Sequence, residues 1–211
     1  MTTFYCFPAK IMKKLGKGLR EEIDKVLALA DYTLKEFLSF NNVLLNSTIL
    51  VVFDNGNLVG CAVYGGYIEN NYENGQLFKE YSITLGGLAI TYSYRNKGIG
   101  TKIIQYLLLQ LSKKEIECGN KFKTYYINVR VENTNAKAIS FYKNKNFIQF
   151  AIVGKFLCMA LNLDENNKSC LEESIVQELT NQEQIEILCK ITRPVFFCRF
   201  CGEPKCIGYC F

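Results

Sequence analysis

The stretch that decides the fold is "YRNKGIGTKIIQYLLLQL", residues 94–111. Gly98 and Gly100 stand one residue apart between a basic tripeptide and a run whose apolar residues recur at helical spacing. A glycine turn that opens a helix leaves several backbone N–H groups without partners, with the positive end of the helix dipole behind them. The stretch therefore predicts an anion site, in most proteins a phosphate site, at the start of a helix.

The spacing of the glycines separates three kinds of phosphate-binding loop. A Walker loop requires Gly-Lys-Ser/Thr, but Gly100 is followed by Thr-Lys in the wrong order. A Rossmann loop requires a third glycine where this chain has Ile103, and an acidic residue about 20 positions further on, where residues 119–120 are Gly-Asn. The remaining pattern, Arg/Gln-x-x-Gly-x-Gly/Ala, matches residues 95–100.

The residues around this stretch predict alternating helices and strands, and the Asn-Gly pair at 55–56 predicts a tight hairpin turn because it supplies two positive φ values. The predicted elements are a helix over 19–40, a hairpin over 47–67, a loop over 68–76, a strand over 77–94, a helix over 98–115, a strand over 122–131, a helix over 133–145 capped by Asn133 or Asn135, and a hairpin over 147–163 that turns at Gly154 and Lys155. This order predicts an α/β (α+β) fold with a mixed sheet and a strand–helix–strand crossover at its centre.

The composition limits the possible functions. The chain has 211 residues, 49% of them hydrophobic, which is enough to bury one sizeable core. Its net charge of +5 is too small and too evenly spread to predict a nucleic-acid track. The chain contains no histidine, which excludes Ser-His-Asp and Cys-His catalysis and any metal site that needs imidazole.

Targeting signals and cysteine usage predict a cellular compartment. Residues 1–18 lack the apolar core of a signal peptide, and no segment approaches the roughly 18 apolar residues of a membrane-spanning helix. Six of the ten cysteines stand singly in apolar segments, as buried hydrophobic residues do. We therefore expect a soluble protein in the reducing cytoplasm, without a membrane partner.

The C-terminal part of the chain differs from the rest. Residues 1–163 are predicted to form the main domain, and residues 164–211 a C-terminal helical and cysteine-rich extension. Thr180 followed by Glu183 is a capping-box pattern, so we expect one helix to end near Leu179 and another to begin there.

Four cysteines lie close together at the end of the chain: Cys198, Cys201, Cys206 and Cys210. A Cys-x-x-Cys-Gly turn spaces two sulfurs as zinc sites do, whereas the second pair, with three residues between, fits less well. A zinc knuckle, a disulfide pair and unligated thiols all remain open. A zinc knuckle here would contact a protein or nucleic-acid partner through the neighbouring "FFCRF" and Lys205, although the same phenylalanines would also dock the tail onto the sheet.

A second motif accompanies the glycine turn. In "NAKAISFYKNKNF", Asn135, Ala138, Tyr142 and Phe147 match Asn-x-x-Ala-x-x-x-Tyr-x-x-x-Gly-Phe, with Asn146 in the glycine position. Asparagine tolerates left-handed backbone better than other non-glycine residues, so this substitution is conservative. With both motifs in the right order, the chain resembles the GCN5-related N-acetyltransferase superfamily over residues 1–163, most sharply over 85–150. Taken alone, either motif would equally describe a helix entry or core packing.

The resemblance implies a mixed, mostly antiparallel central sheet flanked by helices, with acetyl-CoA as co-substrate. The pyrophosphate is then expected on the amides of residues 95–100 and the pantetheine arm along strand 85–91. Glycine is expected at both motif positions because a Cβ would block the turn and the approach of the phosphate. The cofactor-binding residues implied are Leu88, Ala89, Ile90, Arg95, Asn96, Lys97, Gly98, Ile99, Gly100, Thr101, Asn135, Ala138 and Tyr142.

The resemblance also implies acetyl transfer to a primary amine by direct attack. Tyr142 is then expected to protonate the leaving thiolate, unless it is only a buried aromatic anchor. Without histidine the base would be a carboxylate that acts directly or through water: Glu80, with Glu132 and Glu69 as alternatives, unless Glu80 is a solvated strand-end charge.

The turn contains three basic residues, Lys97, Lys102 and Arg95. Each would contact phosphates or face solvent, and Arg95 would alternatively cap an acidic group.

The alternative function is an inactive member of the fold that binds a partner through its cysteine tail.

Overall fold

The computed structural model describes residues 2–9, 15, 17–30, 47–164 and 176–178. In these residues one sheet carries helices on both faces. The elements in chain order are β1 (Thr2–Pro8), α1 (Lys17–Leu27), β2 (Ser47–Asp54), β3 (Asn57–Glu73), β4 (Gln76–Ile90), α2 (Ile99–Cys118), β5 (Thr124–Glu132), α3 (Ala136–Lys143), β6 (Ile148–Val153), β7 (Phe156–Asn162) and β8 (Val176–Glu178). Short 3-10 turns cover 28–30, 92–94 and 119–121.

The eight strands lie in the order β6-β7-β5-β4-β3-β2-β1-β8. Among the described strands, β4–β5 and β1–β8 are parallel pairs and the other neighbours are antiparallel. The central parallel pair is joined through α2, as a parallel connection requires a crossover. The predicted mixed, mostly antiparallel sheet with a central strand–helix–strand unit is confirmed.

Two Asn-Gly turns build the hairpins at the centre of the sheet. Asn55 and Gly56 have φ values of 49° and 80°, which confirms the predicted tight turn between β2 and β3. Asn74 and Gly75, with φ values of 50° and 78°, make a second such turn. The prediction of a loop over 68–76 is wrong, because β3 and β4 stay paired up to this turn. The continuous ladder outweighs the low strand propensity of the asparagines and glutamates in this arm.

Alternation along the strands gives the sheet two separate cores. In β1 and β2, Phe4 and Leu50 face the core formed with α2 and α3, whereas Tyr5 and Val51 face the core formed with α1. Each helix places its apolar stripe on the sheet, as the spacing of residues in α2 predicts. The fully buried helix residues are Ile23 and Leu27 of α1 and Ile103, Leu107 and Leu111 of α2.

The two ends of the described chain pair with each other. β1, which the sequence analysis did not predict, pairs antiparallel with β2 and parallel with β8. Residues 176–178 are therefore strand, and the prediction of a helix ending near Leu179 is wrong for these three residues. The remainder of the extension, including the four tail cysteines, lies outside the described residues. No helix in the described ranges is long and apolar enough to cross a membrane.

Candidate functional site

The sheet opens between its two central parallel strands. β4 and β5 are paired from Glu80 opposite Thr124 to Leu85 opposite Val129, and no further. Beyond that point β4 runs on to Ile90 and β5 to Glu132. We call the space between residues 86–90 and 130–132 the gap. Because the backbone of β4 in the gap has no partner on its β5 side in the described structure, an extended ligand can pair with this edge.

A bulge at Gly86 shapes the gap. On the β3 side, Val63 lies opposite Gly87 and the next residue, Tyr64, lies opposite Leu85, so Gly86 is the extra residue. A bulge bends its strand and reverses which side chains face each side. Accordingly Ile83 and Leu85 face α2 before the bulge, whereas Leu88 and Ile90 pack on the α2 side after it, and Ala89 joins the α1 side.

The chain leaves β4 and enters α2 through the glycine turn. Gly98 is the N-cap with φ 80° and ψ −5°, and it provides no side-chain hydrogen bond to the helix. The first helical bond runs from the Lys102 N–H to the Gly98 carbonyl at 3.0 Å. The amides of residues 99–101 therefore have no acceptor within the helix. They lie at the positive end of the helix dipole.

The two glycines of the motif serve different purposes. Nothing lies within 4 Å of a Cβ placed at Gly98, so this position favours glycine for its left-handed backbone and not for lack of space. A Cβ at Gly100 would lie 3.0 Å from Cζ of Phe141 and 3.4 Å from Cδ1 of Ile90. Gly100 thus allows close packing of α2 on α3, and its role in the approach of a phosphate stays a prediction.

Side chains around the turn are held by aromatic rings. The Nε of Arg95 donates to the Ile90 carbonyl at 3.1 Å, and its guanidinium lies 4.0 Å from the centre of the Tyr92 ring. Arg95 therefore closes the end of β4. The Lys97 ammonium lies 4.6 Å from the centre of the Tyr94 ring, which keeps one positive charge beside the turn.

The start of α3 is closed by its own side chain. Oδ1 of Asn135 accepts the Ala138 N–H at 3.1 Å, which makes Asn135 the N-cap predicted as one of two candidates. The backbone of Asn146 has a φ of 63°, so asparagine does occupy a left-handed position where the family motif has glycine. Asn135 and Ala138 thus have a structural role at the cap.

Tyr142 is buried, with 8% of its surface exposed. Its ring centre lies 5.2 Å from that of Phe141 and 5.1 Å from that of Phe147. Phe141 in turn touches the space beside Gly100, so Tyr142 belongs to the packing between α3 and the start of α2. The buried aromatic role is present, and the role as a proton donor stays a prediction.

Glu80 lies far from the gap. Its carboxylate accepts hydrogen bonds from the Asn71 amide and the Thr124 hydroxyl, at the opposite end of the β4–β5 pairing. Eight residues separate it from Leu88, a span of about 26 Å along an extended strand. A carboxylate at that distance would act on a group bound at residues 88–90 only through intervening water, and the role of Glu80 as the base stays a prediction.

The two alternative carboxylates occupy different ends of the sheet. Glu69 lies opposite Glu80. Burial, then the charges of Glu69 and Glu80, raise the pKa of Tyr126 to about 12. Glu132 ends β5 beside the gap and forms an ion pair with Lys155.

Sequence reasoning missed one polar pair near the gap. Thr84 and Asn128 lie opposite each other one rung before the strands diverge, and both are half-buried on the α1 face. Their alternation with buried apolar residues looks like an ordinary solvated strand face in the sequence. Only the point of divergence, which the sequence does not reveal, makes these two residues neighbours of the gap.

A separate cavity of about 540 Å³ lies under the second half of α2. Its buried wall contains a hydroxyl of Tyr106 that lies 3.1 Å from the Cys6 sulfur and accepts a hydrogen bond from Tyr64 at 3.3 Å. Burial, reinforced by Tyr64 and Cys6, raises the pKa of Tyr106 far above its usual range. Lys113, at the mouth, is 15 residues beyond Gly98, or about 22 Å along the helix, so this cavity is not part of the gap.

The described residues contain no group of three or more His, Cys, Asp and Glu side chains that could hold a metal ion. The predicted ligands Cys198, Cys201, Cys206 and Cys210 lie outside those residues, so the zinc hypothesis stays a prediction.

Comparison with known proteins identifies the domain. Residues 45–149 match the family model of the acetyltransferase (GNAT) domain. Among curated proteins, none matches this chain.

Several solved structures share the fold. The ribosomal-protein-S18-alanine N-acetyltransferase from Escherichia coli has a TM-score of 0.51 and 17% identity, and the match covers 79% of this chain and 98% of that one. Arabidopsis thaliana NAA60 in complex with acetyl-CoA has a TM-score of 0.52 and 15% identity, over 77% of this chain and 99% of that one. A bacterial toxin has a TM-score of 0.55 and 14% identity, over 82% and 96%. At these identities the likeness shows the fold.

Proposed function

This chain belongs to the GCN5-related N-acetyltransferase superfamily, and we propose that it transfers the acetyl group of acetyl-CoA to a primary amine. The observation that carries the proposal is the uncapped start of α2 beside the gap between β4 and β5. A diphosphate fits the first feature and an extended chain with amide groups fits the second. Acetyl-CoA combines both, and the Arabidopsis thaliana relative was crystallised with it.

The coenzyme would lie along the edge of β4. Its pyrophosphate accepts hydrogen bonds from the amides of residues 99–101, where the helix dipole favours negative charge. The amide groups of the pantetheine arm pair with the backbone of residues 86–89, which β5 leaves unpaired, in the manner of an added strand. This arrangement brings the thioester to the α1 face of the gap, near Thr84 and Asn128.

The reaction joins the amine nitrogen to the thioester carbon. The developing oxyanion accepts a hydrogen bond from a backbone N–H near Leu88–Ile90. The C–S bond then breaks, and the Tyr142 hydroxyl gives its proton to the thiolate. The proton lost by the amine passes to a water molecule held by Thr84 and Asn128, and later restores the Tyr142 hydroxyl. The products are the acetylated amine and free coenzyme A.

The remote position of Glu80 favours this water route over a direct carboxylate base. Glu132 is the carboxylate nearest to the gap along β5, and its carboxylate is already engaged in an ion pair with Lys155. Thr84 and Asn128 offer oxygen and amide groups that orient water without carrying charge.

The proposal is tested by thiol release. Acetyl-CoA is incubated with the full chain and with spermidine, a lysine peptide or a peptide that begins with alanine, and the free thiol is measured. We expect at least one amine to accelerate release over the rate without protein. Failure of coenzyme A to bind in calorimetry contradicts the proposal. Tight binding of coenzyme A without acceleration by any amine favours instead the non-catalytic member of the fold that acts through its tail.

The cysteine tail carries a separate proposal. Cys198, Cys201, Cys206 and Cys210 are proposed to bind one zinc ion, since four thiolates complete a tetrahedral site. Metal analysis after exhaustive dialysis should find one zinc per chain. A folded chain without zinc, or one that retains it after replacement of Cys198 and Cys201 by serine, overturns this proposal.

A further inference from the structure

We infer that Asp54 and Tyr94 are positioning residues that hold the Lys97 ammonium at the coenzyme phosphates. The inference rests on the proposed function, and Asp54 and Tyr94 lie outside both sequence motifs. The three residues are called the Asp54–Tyr94–Lys97 relay below. It links the turn between β2 and β3 to the start of α2.

Asp54 provides the fixed end of the relay. It is the last residue of β2, before the tight turn at residues 55–56. Its carboxylate accepts hydrogen bonds from the Thr2 hydroxyl at 2.9 Å, the Asn55 amide at 3.2 Å and the Tyr94 hydroxyl at 3.3 Å. The Thr2 bond, set against partial desolvation, lowers the pKa of Asp54, so the carboxylate stays charged at neutral pH. A charged acceptor tied to three elements has little freedom to move.

The Tyr94 ring provides the middle of the relay. The ring packs against the α2-side core, and its hydroxyl donates to Asp54. Donation to a carboxylate increases the electron density of the ring and so its attraction for a cation. The backbone around the ring is also fixed, because the N–H of Thr91 donates to the Val59 carbonyl at 2.9 Å.

Lys97 provides the functional end. Its ammonium lies within the range of a cation–π contact with the ring, directly before the N-cap Gly98. A free lysine loses much rotamer freedom when it binds an anion, and a ring that already restricts the side chain reduces that loss. Arg95 cannot replace it, since its guanidinium is stacked on Tyr92 and its Nε is bonded to the end of β4.

The effect of removing Tyr94 on coenzyme affinity should differ according to whether Tyr94 only stabilises the turn or positions Lys97. If Tyr94 only stabilises the turn, its removal and the removal of Lys97 act independently on coenzyme affinity. If Tyr94 acts through Lys97, the two effects overlap. A double-mutant cycle therefore separates the two roles.

The experiment measures Kd for coenzyme A by calorimetry with the full chain and with Lys97→Gln, Tyr94→Leu and the double variant. We expect weakening of about tenfold for Lys97→Gln and about threefold for Tyr94→Leu, and about tenfold, not thirtyfold, for the double variant. Tyr94→Phe, which keeps the ring and loses the bond to Asp54, should fall between wild type and Tyr94→Leu. In steady-state assays KM for acetyl-CoA rises while kcat is unchanged.

Two controls and one comparison complete the test. Lys113→Gln on α2 and Tyr72→Leu on the exposed β3–β4 arm make the same chemical changes away from the turn and should leave Kd unchanged. Dephospho-coenzyme A, which lacks the 3′-phosphate, shows which phosphate Lys97 meets: if the penalty of Lys97→Gln disappears, it is the 3′-phosphate, and if the penalty persists, it is the pyrophosphate.

The outcomes distinguish the relay from the function on which it rests. A thirtyfold loss in the double variant, or a Tyr94→Phe variant as weak as Tyr94→Leu with Lys97 still contributing in full, overturns the relay. Absence of coenzyme A binding by wild type overturns the proposed function first. If Tyr94→Leu does not fold, the cycle is run with Asp54→Asn in its place.

Discussion

The helices α2 and α3 differ in how the unpaired backbone N–H groups at their N-termini are treated. At α3 the side chain of Asn135 accepts a backbone N–H, which closes the helix end. At α2 the N-cap is Gly98, which has no side chain to offer. Glycine at the N-cap costs only about a few tenths of a kcal/mol relative to asparagine, so α2 gives up little stability while it leaves its amides to solvent or to a ligand. This difference leaves the start of α2, and not that of α3, without a competing side chain for the coenzyme pyrophosphate that we propose to bind there.

The largest expected effect concerns Tyr142, which packs between α3 and the start of α2 and is proposed to protonate the leaving thiolate. Tyr142→Phe removes only the hydroxyl, so kcat should fall about 100-fold if that hydroxyl protonates the thiolate. The free energy of unfolding should change little, because the ring contacts with Phe141 and Phe147 remain. Thiol release and urea unfolding are measured side by side. An unchanged kcat would leave Tyr142 with its structural role alone.

The next prediction converts the start of α2 into one like that of α3. Gly98→Asp supplies a side-chain cap and a negative charge, and aspartate tolerates the left-handed backbone of this position. Coenzyme A affinity should fall about 100-fold because the new carboxylate competes with the pyrophosphate for the amides. Gly98→Asn, which caps without charge, should weaken binding less. Equal, unaltered affinity in both variants would show that the pyrophosphate does not use these amides.

The converse substitution opens the start of α3. Asn135→Ala removes the acceptor of the Ala138 N–H, and we expect a loss of about 1 kcal/mol in the free energy of unfolding. Urea denaturation checks this value, with Asn135→Ser as the matched variant that keeps a capping oxygen and should recover most of it. Full stability of Asn135→Ala would mean that the cap contributes nothing to α3.

The smallest expected effect concerns the carboxylate that the sequence favoured as the base. Glu80→Gln should change kcat by less than about threefold, since the carboxylate is remote from the gap. Asn128→Ala, at the gap, should reduce kcat more, by about tenfold, if it orients the water that accepts the proton. The pH dependence of kcat is recorded for both variants. A large loss of kcat in Glu80→Gln but not in Asn128→Ala would identify Glu80 as the base and refute the water route.

Local sequence signals predicted a large part of the fold. The Asn-Gly pair at 55–56, the periodic apolar residues of α2 and the glycine at 154 all act through contacts or φ values within a few residues. For this reason the central crossover, the β2–β3 hairpin and the β6–β7 hairpin were predicted correctly. The left-handed backbone at Asn146 was predicted on the same grounds.

Features that depend on distant partners were missed. β1 has no turn signal of its own and becomes a strand only because it pairs with β2 and β8. The polar arm of β3 and β4 became a hairpin through its ladder against strand propensity. The close packing of Gly100 against Phe141 was not predicted, because Phe141 lies on another helix.

The sequence by itself determined that a glycine turn would enter a helix after a strand, since steric limits on φ and apolar periodicity are local properties. Tertiary structure decided which strands and side chains lie around that turn. The bulge at Gly86, the divergence of β4 from β5 and the distance of Glu80 from the gap arise from strand pairing between residues far apart in the chain. Strand register is set by the whole sheet, so no local pattern reveals which polar residues border the opening.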